Sequence, residues 1–210
     1  MRRAWWSLLV VVLGGVIAVW LAGEFIPGFP TNAPRSGTLP TFGPAPSFSL
    51  VDQLGRPFSS EALAGKPWVA DFVFTRCAGP CPLMSRRMAA LVDTLGPRSP
   101  VRFVSFTVDP DHDTPAVLRT YAGDLGADPD RWRFLTGVRS DLHQVSVGGF
   151  HLAMGEAEAD SATQLISVAH STRFILVDGA GEVRGYYDGE DPVAMTSLAR
   201  DAASLARRGR

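Results

Sequence analysis

The sequence predicts an α/β domain with a central mixed β-sheet flanked by helices, preceded by one N-terminal transmembrane helix. Three observations carry this prediction. An apolar run leads directly into the protein's two cysteines and is followed by a helix-like segment. Strand-like and helix-like segments then alternate, and a hairpin with a closing helix ends the chain. The hydrophobic pattern sets the boundaries of each element.

The N-terminal segment has the length of a membrane span. From Ala4 to Gly23 no charged residue occurs, and a run of about 20 apolar residues crosses the hydrocarbon core of a bilayer. Arg2 and Arg3 precede this run, which places the N-terminus in the cytoplasm by the positive-inside rule. Trp20 occupies a position where signal-peptide cleavage favours a small residue, so we expect residues 1–25 to remain as an anchor.

A short tether separates this anchor from the domain. Residues 26–45 are rich in proline and glycine and predict an extended linker. Residues 46–207, about 160 in number, are enough to bury a core as one domain. A formal net charge of −1 gives no electrostatic case for nucleic acid as a partner.

Within the domain the elements follow in order. A short strand and a second strand edge are predicted on either side of a turn at Leu54-Gly55. Thr114 and Pro115 are an N-cap and a first-turn proline, and Asp191-Pro192 repeats that signal. Further strands are predicted over 66–74, 101–108, 132–135, 173–177 and 182–187, and helices over 82–95, 115–125, 139–147 and from 192 onward.

The cysteine motif carries the chemistry. Cys77 and Cys81 are the only cysteines and fall where a buried strand turns into a helix. The unpaired N–H groups of a helix N-terminus favour thiolate, so we expect lowered thiol pKa values. Two neighbouring thiols serve either thiol-disulfide exchange or a soft-metal site for Cu(I). A purely structural disulfide is disfavoured, since closing so short a loop stabilises little.

The combined motifs resemble one family. An FxFTxC strand end, a CxxxCP motif, a VDPDHDT segment and a late His-Ser ahead of a strand are similar to the Sco/SenC family of copper proteins. The resemblance covers nearly all of residues 46–207. It implies a thioredoxin-like fold and one copper ion, Cu(I) or Cu(II), held by Cys77, Cys81 and His170.

The resemblance also implies a location and partners. It places the protein in the bacterial inner membrane as a single-pass protein, with its soluble domain on the periplasmic side. The implied partner is cytochrome c oxidase subunit II, or a periplasmic copper donor or acceptor protein. Members either deliver copper to the oxidase or keep its cysteines reduced.

The chain offers other histidines as rivals to His170. His112 falls in a polar loop, His143 on a predicted helix, and His151 in the segment 148–163, which its glycines predict to be mobile. A lone histidine is ordinarily a hydrogen-bonded or exposed side chain. The cysteine motif favours His170 as the third ligand, and His151 is its strongest competitor.

Other residues near the motif admit two interpretations. Asp109 and Asp113 follow the end of a strand. Each either orients a ligand histidine or serves as a turn and cap residue, and the turn and cap role is favoured for Asp113. Arg76 stabilises a thiolate or is simply exposed. Met84 and Met88 are thioether ligands or, as their helical spacing favours, core residues.

One departure from the family pattern bears on function. Many members carry an acidic or polar residue and then a β-branched one between the cysteines, whereas Ala78-Gly79-Pro80 stands here. The three residues Ala78-Gly79-Pro80 change the stiffness of the loop, and with it the redox potential and the metal affinity. They do not remove a ligand. The predicted function is that of a membrane-anchored copper-binding protein that assists maturation of the copper centre of cytochrome c oxidase by copper delivery, thiol reduction or both. A thiol-disulfide oxidoreductase using Cys77 and Cys81 without metal, and a non-catalytic redox or copper sensor, remain open.

Overall fold

A computed structural model describes residues 38–77, 79, 81–152, 158–159, 166–167 and 172–208. Most of these residues form a seven-stranded mixed sheet, in agreement with the predicted class. The strands, in chain order, are β1 (Ser49–Asp52), β2 (Pro57–Ser59), β3 (Trp68–Val73), β4 (Arg102–Thr107), β5 (Trp132–Thr136), β6 (Glu158–Ala159), β7 (Ile166–Ser167), β8 (Arg173–Val177) and β9 (Val183–Asp188). The seven strands of the sheet lie in the spatial order β2-β1-β5-β4-β3-β8-β9, and β6 and β7 pair in a separate ribbon.

Four α-helices accompany the sheet in the described ranges. The first, α1, begins at Cys81, one residue earlier than predicted. Thr114 caps α2 as expected, because its hydroxyl accepts the N–H of Val117 at 3.4 Å. The predicted 139–147 helix changes to a π-helical turn after His143. The helices are α1 (Cys81–Leu95), α2 (Pro115–Asp124), α3 (Arg139–His143, continued by the π-helical turn Gln144–Gly149) and α4 (Pro192–Arg208), with a 3-10 turn at Ser60–Leu63.

Strand β3 lies at the centre of the fold and leads into the cysteines. It pairs in parallel with β4 and antiparallel with β8. All six of its residues are buried, which explains the nearly continuous apolar run in the sequence. Its neighbour β4 pairs in parallel with β5, so three parallel strands end at one edge of the sheet. That edge carries the cysteine turn.

The two faces of β3 enter different cores. Ala70 and Phe72 pack into a cluster rich in aromatic side chains with Phe106 and Phe150. Val69 and Val73 face the other way, and pack against α1, α2 and α4 through the buried residues Met84, Met88, Leu118, Leu198 and Ala202. The interpretation of Met84 and Met88 as core residues is confirmed.

The predicted membrane anchor at 1–25 lies outside the described residues. Within the described ranges, no helix combines the length and apolar character needed to cross a membrane. Much of the segment expected to be mobile, together with His170, is likewise outside them.

Candidate metal and thiol site

The two cysteines occupy the turn between β3 and α1. The Cys77 N–H donates to the carbonyl of Phe74 at 3.3 Å, and this closes the turn directly after the strand. Cys81 is the first residue of α1. Both thiols are buried and neither forms a disulfide, with 7% of Cys77 and 3% of Cys81 exposed. The predicted strand-to-helix placement of the pair is therefore correct.

The two sulfurs share a small apolar compartment. The Gly79 N–H donates to Cys77 Sγ at 3.3 Å. Cys77 and Cys81 belong to one buried cluster, so the two side chains are neighbours. Phe74 and Val108 pack against them. Two adjacent soft donors in apolar surroundings suit a soft d¹⁰ ion, and they equally suit closure to a disulfide.

Burial controls the ionisation of Cys81. Loss of hydration, followed by the interaction with the Cys77 side chain, raises the pKa of Cys81 to about 12. The charge of Asp71 adds to this rise, while a backbone hydrogen bond from Phe74 opposes it. The expected lowering at a helix N-terminus is wrong for Cys81, because desolvation of a buried thiolate outweighs the helix dipole. Cys81 is thus a neutral thiol near pH 7 when no metal is bound.

The buried carboxylate of Asp113 holds the backbone just before Cys77 in place. Asp113 is fully buried and accepts hydrogen bonds from the N–H of Thr75 at 3.1 Å and from its hydroxyl at 2.6 Å. The hydroxyl of Thr107, at the end of β4, donates to the same carboxylate at 2.6 Å. Asp113 therefore ties the residue two before Cys77 to the neighbouring strand. The favoured turn-and-cap interpretation of this residue misses that long-range role.

Asp109 and Arg76 form an ion pair at the rim of the same turn. The Arg76 guanidinium donates to Asp109 Oδ2 at 2.6 Å, with half of the arginine side chain exposed. One ligand atom from each of Asp109, His112 and Asp113 lies within 4.8 Å of the others. Their carboxylates are already engaged by Arg76, Thr75 and Thr107, so this cluster acts as a hydrogen-bonded brace.

The histidines are distributed over different parts of the fold. His170, the predicted third ligand, lies outside the described residues. His112 Nδ1 lies 3.3 Å from Thr75 Oγ1 and 3.1 Å from Asp113 Oδ1, which brings it to the brace beside Cys77. His143 is exposed on α3. His151 has a positive φ of 54° and lines a separate cleft with Gln144 and Tyr186.

One buried ionisable residue near the site was missed at the sequence level. Asp71, in the middle of β3, is completely buried. Its signal was present in the sequence, since it is the one charged residue in the apolar run 68–74. An acidic residue inside a strand buried on both faces demands a specific reason.

The sequence matches a known protein family over most of its length. The model of the SCO1/SenC family matches residues 40–206. The SCO1 protein homolog of Bacillus subtilis is 32% identical over 161 residues, which cover 76% of this chain and 81% of that protein.

Solved structures agree with this match. BsSco, described as a member of the Sco family of cytochrome c oxidase assembly proteins with a disulfide switch, superposes with a TM-score of 0.70 at 30% identity. The match covers 81% of this chain and 98% of BsSco. ScoI of Bradyrhizobium japonicum with copper bound has a TM-score of 0.63 at 21% identity, over 79% of this chain and 99% of ScoI. The likeness to ScoI shows a shared fold.

Proposed function

The chain belongs to the SCO1/SenC family, and on that premise we propose that it is a copper-binding accessory protein for the assembly of cytochrome c oxidase. The copper is cargo that the protein holds and passes on. Cys77 and Cys81 are the proposed sulfur ligands, and His170 is the proposed third ligand.

Residues 1–25 anchor the protein in the inner membrane, and the part of the predicted 26–45 linker that precedes Leu39 forms a tether. Residues 39–45 belong with the domain that handles copper outside the cytoplasm, because the N–H groups of Phe42 and Ala45 donate to the carbonyls of Val183 and Gly181 at 2.9 Å and 2.8 Å.

The arrangement of the two sulfurs is the observation that carries the proposal. They are buried side by side within one turn of chain, and no disulfide joins them. Cu(I) favours thiolate sulfur and low coordination numbers, and an apolar wall keeps water from competing for the ion. Phe74 and Val108 supply that wall.

Release of copper follows from ligand exchange. A partner's thiolate or imidazole replaces the sulfurs one at a time, and each freed thiolate regains a proton. The high pKa of Cys81 makes reprotonation favourable at neutral pH, so protons compete with the metal for this sulfur once an incoming ligand displaces it. Subunit II of the oxidase, or another copper protein outside the cytoplasm, is the proposed acceptor.

Titration of the full-length protein with Cu(I) under reducing conditions tests the proposal. We expect one tightly held copper per chain in the wild type, no tight binding in Cys77→Ser/Cys81→Ser, and weakened binding in His170→Ala. His143→Ala removes an exposed histidine on α3 and is the matched control. Copper binding that persists without the cysteines would contradict the proposal.

Thiol-disulfide exchange is the second candidate, favoured by the packing of the two cysteines in one small cluster. In this function Cys77 attacks a partner's disulfide and Cys81 resolves the mixed disulfide, which reduces the partner and oxidises this pair. A rapidly exchanged Cys77–Cys81 disulfide, with copper binding weak and indifferent to His170→Ala, would favour this function over copper delivery.

A further inference from the structure

Helices α1 and α4 leave an open groove of about 250 Å³ between them. The inner faces of the two helices pack into one core, through buried residues such as Met88 and Leu198. On the outer faces, Ala90 of α1 and Ala199 of α4 line the groove. A methyl side chain is too small to fill the space between two helices, so a groove remains where these alanines stand.

The walls of this α1–α4 groove are apolar. Ala90 and Met195 contribute to them, together with two threonines whose hydroxyl groups are already engaged. The Thr94 hydroxyl donates to the carbonyl of Ala90 at 2.7 Å, and the Thr196 hydroxyl donates to the carbonyl of Pro192 at 2.9 Å. Each threonine therefore spends its donor on its own helix and offers none to a ligand.

Arg87 is the one charged side chain among the described residues that line the groove. Its Nε is buried and has no hydrogen-bond partner in the part of the chain that the structure describes. Its Nη2 makes one long hydrogen bond, 3.5 Å, to the carbonyl of Glu190. A guanidinium is always charged, and its fork of donors fits a carboxylate. The groove thus combines apolar walls with an under-used cation, which is complementary to an apolar partner that carries a carboxylate.

The apolar surface continues beyond the groove towards the cysteine turn. Leu83 and Val193, which are 36% and 73% exposed, lie in the first turns of α1 and α4. They are two of the four exposed large apolar side chains among the described residues. From Leu83 to Thr94 the helix rises by about 16 Å, at 1.5 Å per residue. A surface of this length suits a helix or an extended segment of a protein better than a small amphiphilic molecule.

The groove also lies close to the thiol site. Cys81 begins α1, and Arg87 follows it by six residues on the same helix, which is about 9 Å along the helix axis. A protein that docks in the groove therefore stands beside the cysteine turn. Apolar contacts around a paired arginine are the kind of anchor that dominates the affinity of protein interfaces.

We propose that the α1–α4 groove is the docking surface for the protein that accepts copper from the cysteine pair, which inserts an apolar segment and pairs a carboxylate with Arg87. This inference rests on the proposed copper-delivery function, because the acceptor is defined by that function. The groove lies outside the proposed ligand set, so docking takes place with or without copper on the sulfurs.

The experiment measures binding and copper transfer between the full-length protein in lipid nanodiscs and the soluble domain of the cognate oxidase subunit II. Arg87→Glu reverses the charge in the groove, and Ala90→Leu fills the groove from an exposed helical position. Each should weaken binding of the subunit II domain by about tenfold or more, and slow copper transfer in proportion. Arg98→Glu makes the same charge change at an exposed arginine in the loop after α1 and is the matched control.

Two further measurements separate docking from folding. Both groove variants should hold one Cu(I) per chain as the wild type does, because neither residue belongs to the proposed ligand set. Added salt should weaken binding of the subunit II domain more steeply in the wild type than in Arg87→Gln, since only the wild type has the guanidinium. A purely structural effect of Arg87 does not change the salt dependence.

The outcomes separate this proposal from the proposed function. Weaker binding in both groove variants, with Arg98→Glu matching the wild type, supports the docking surface. Wild-type affinity in both variants, or no binding of the subunit II domain to the wild type, overturns it and leaves copper binding by the cysteines intact. If the domain binds through the groove but receives no copper, copper delivery fails and the docking surface stands.

Other occupants of the groove give distinct results. A dimer of the full chain that Arg87→Glu dissociates assigns the groove to a second copy. Nuclear Overhauser contacts from lipid chains to Ala90 and Ala199 that persist with the subunit II domain present assign the groove to lipid. Either result overturns the proposal.

Discussion

Asp113 holds Thr75 by two hydrogen bonds, one to its backbone N–H and one to its hydroxyl, across 38 positions of sequence. Thr75 is separated from Cys77 by one residue, Arg76, which is itself paired with Asp109. The geometry of the cysteine turn thus depends on a loop that follows a different strand, β4. This relationship explains why the acidic VDPDHDT segment and the cysteine motif occur together in one sequence.

Replacement of Asp113 by alanine should destabilise the protein by about 3 kcal/mol, since it leaves the N–H and hydroxyl of the half-buried Thr75 and the hydroxyl of the buried Thr107 without their acceptor. Denaturant unfolding measures this cost. Asp111→Ala, in the same loop, removes an aspartate whose side chain is 80% exposed and should cost less than about 1 kcal/mol. Equal effects of the two substitutions would show that Asp113 does not brace the turn.

Asp71 should make stability fall as the pH rises. Burial raises its pKa to about 7 from an ordinary value of 3.8, so the folded state binds more protons than the unfolded state between these values. The stabilising contribution of the protonated group is complete below about pH 4 and is lost as the pH rises through about 7. At 1.36 kcal/mol per pKa unit the loss amounts to about 4 kcal/mol.

Asp71→Asn removes this loss. Its stability relative to the wild type should therefore increase between about pH 4 and about pH 8, as followed by denaturant unfolding at a series of pH values. Asp124→Asn, which changes an exposed carboxylate, should show a much smaller change. If the difference in the free energy of unfolding between the wild type and Asp71→Asn stays constant with pH, the assignment of Asp71 as a buried ionisable group is contradicted.

Two glycines should respond to alanine in opposite directions. A Cβ at Gly189, just beyond β9, would lie within contact distance of Met84 Sδ and 2.7 Å from a ring carbon of Phe174, so Gly189→Ala should destabilise by about 1–3 kcal/mol through overpacking. Gly123 lies within α2, where an added methyl group would meet no described atom within 4 Å, and Gly123→Ala should stabilise by about 0.5–1 kcal/mol. Thermal unfolding compares both with wild type, and a stabilising Gly189→Ala would show that α1 does not pack as described.

The strand-to-helix turn was predictable because its signals are local. The apolar run over 68–74 and the helical spacing that follows it define β3 and α1 within one or two residues. The proline after Thr114 marks the start of α2 in the same way. The change of α3 into a π-helical turn had no comparable local signal.

The network around the cysteines was less predictable, because it joins residues that are distant in sequence. Nothing local distinguishes Asp113 as a partner of Thr75 from Asp113 as a turn residue, since the contact exists only once β3 and β4 pair. The pKa of Cys81 was predicted in the wrong direction for a similar reason. A helix N-terminus is visible in the sequence, whereas the depth of burial that opposes it is a property of the folded sheet.

X-ray absorption at the copper edge of the full-length protein, loaded with one Cu(I) per chain, tests copper binding by the cysteine pair most directly. We predict two sulfur scatterers and one imidazole nitrogen in the wild type. His170→Ala should lose the imidazole contribution and keep both sulfurs, while Cys77→Ser/Cys81→Ser should lose the sulfur shell. A wild-type spectrum without sulfur, or one that the cysteine substitutions leave unchanged, would contradict copper binding by Cys77 and Cys81.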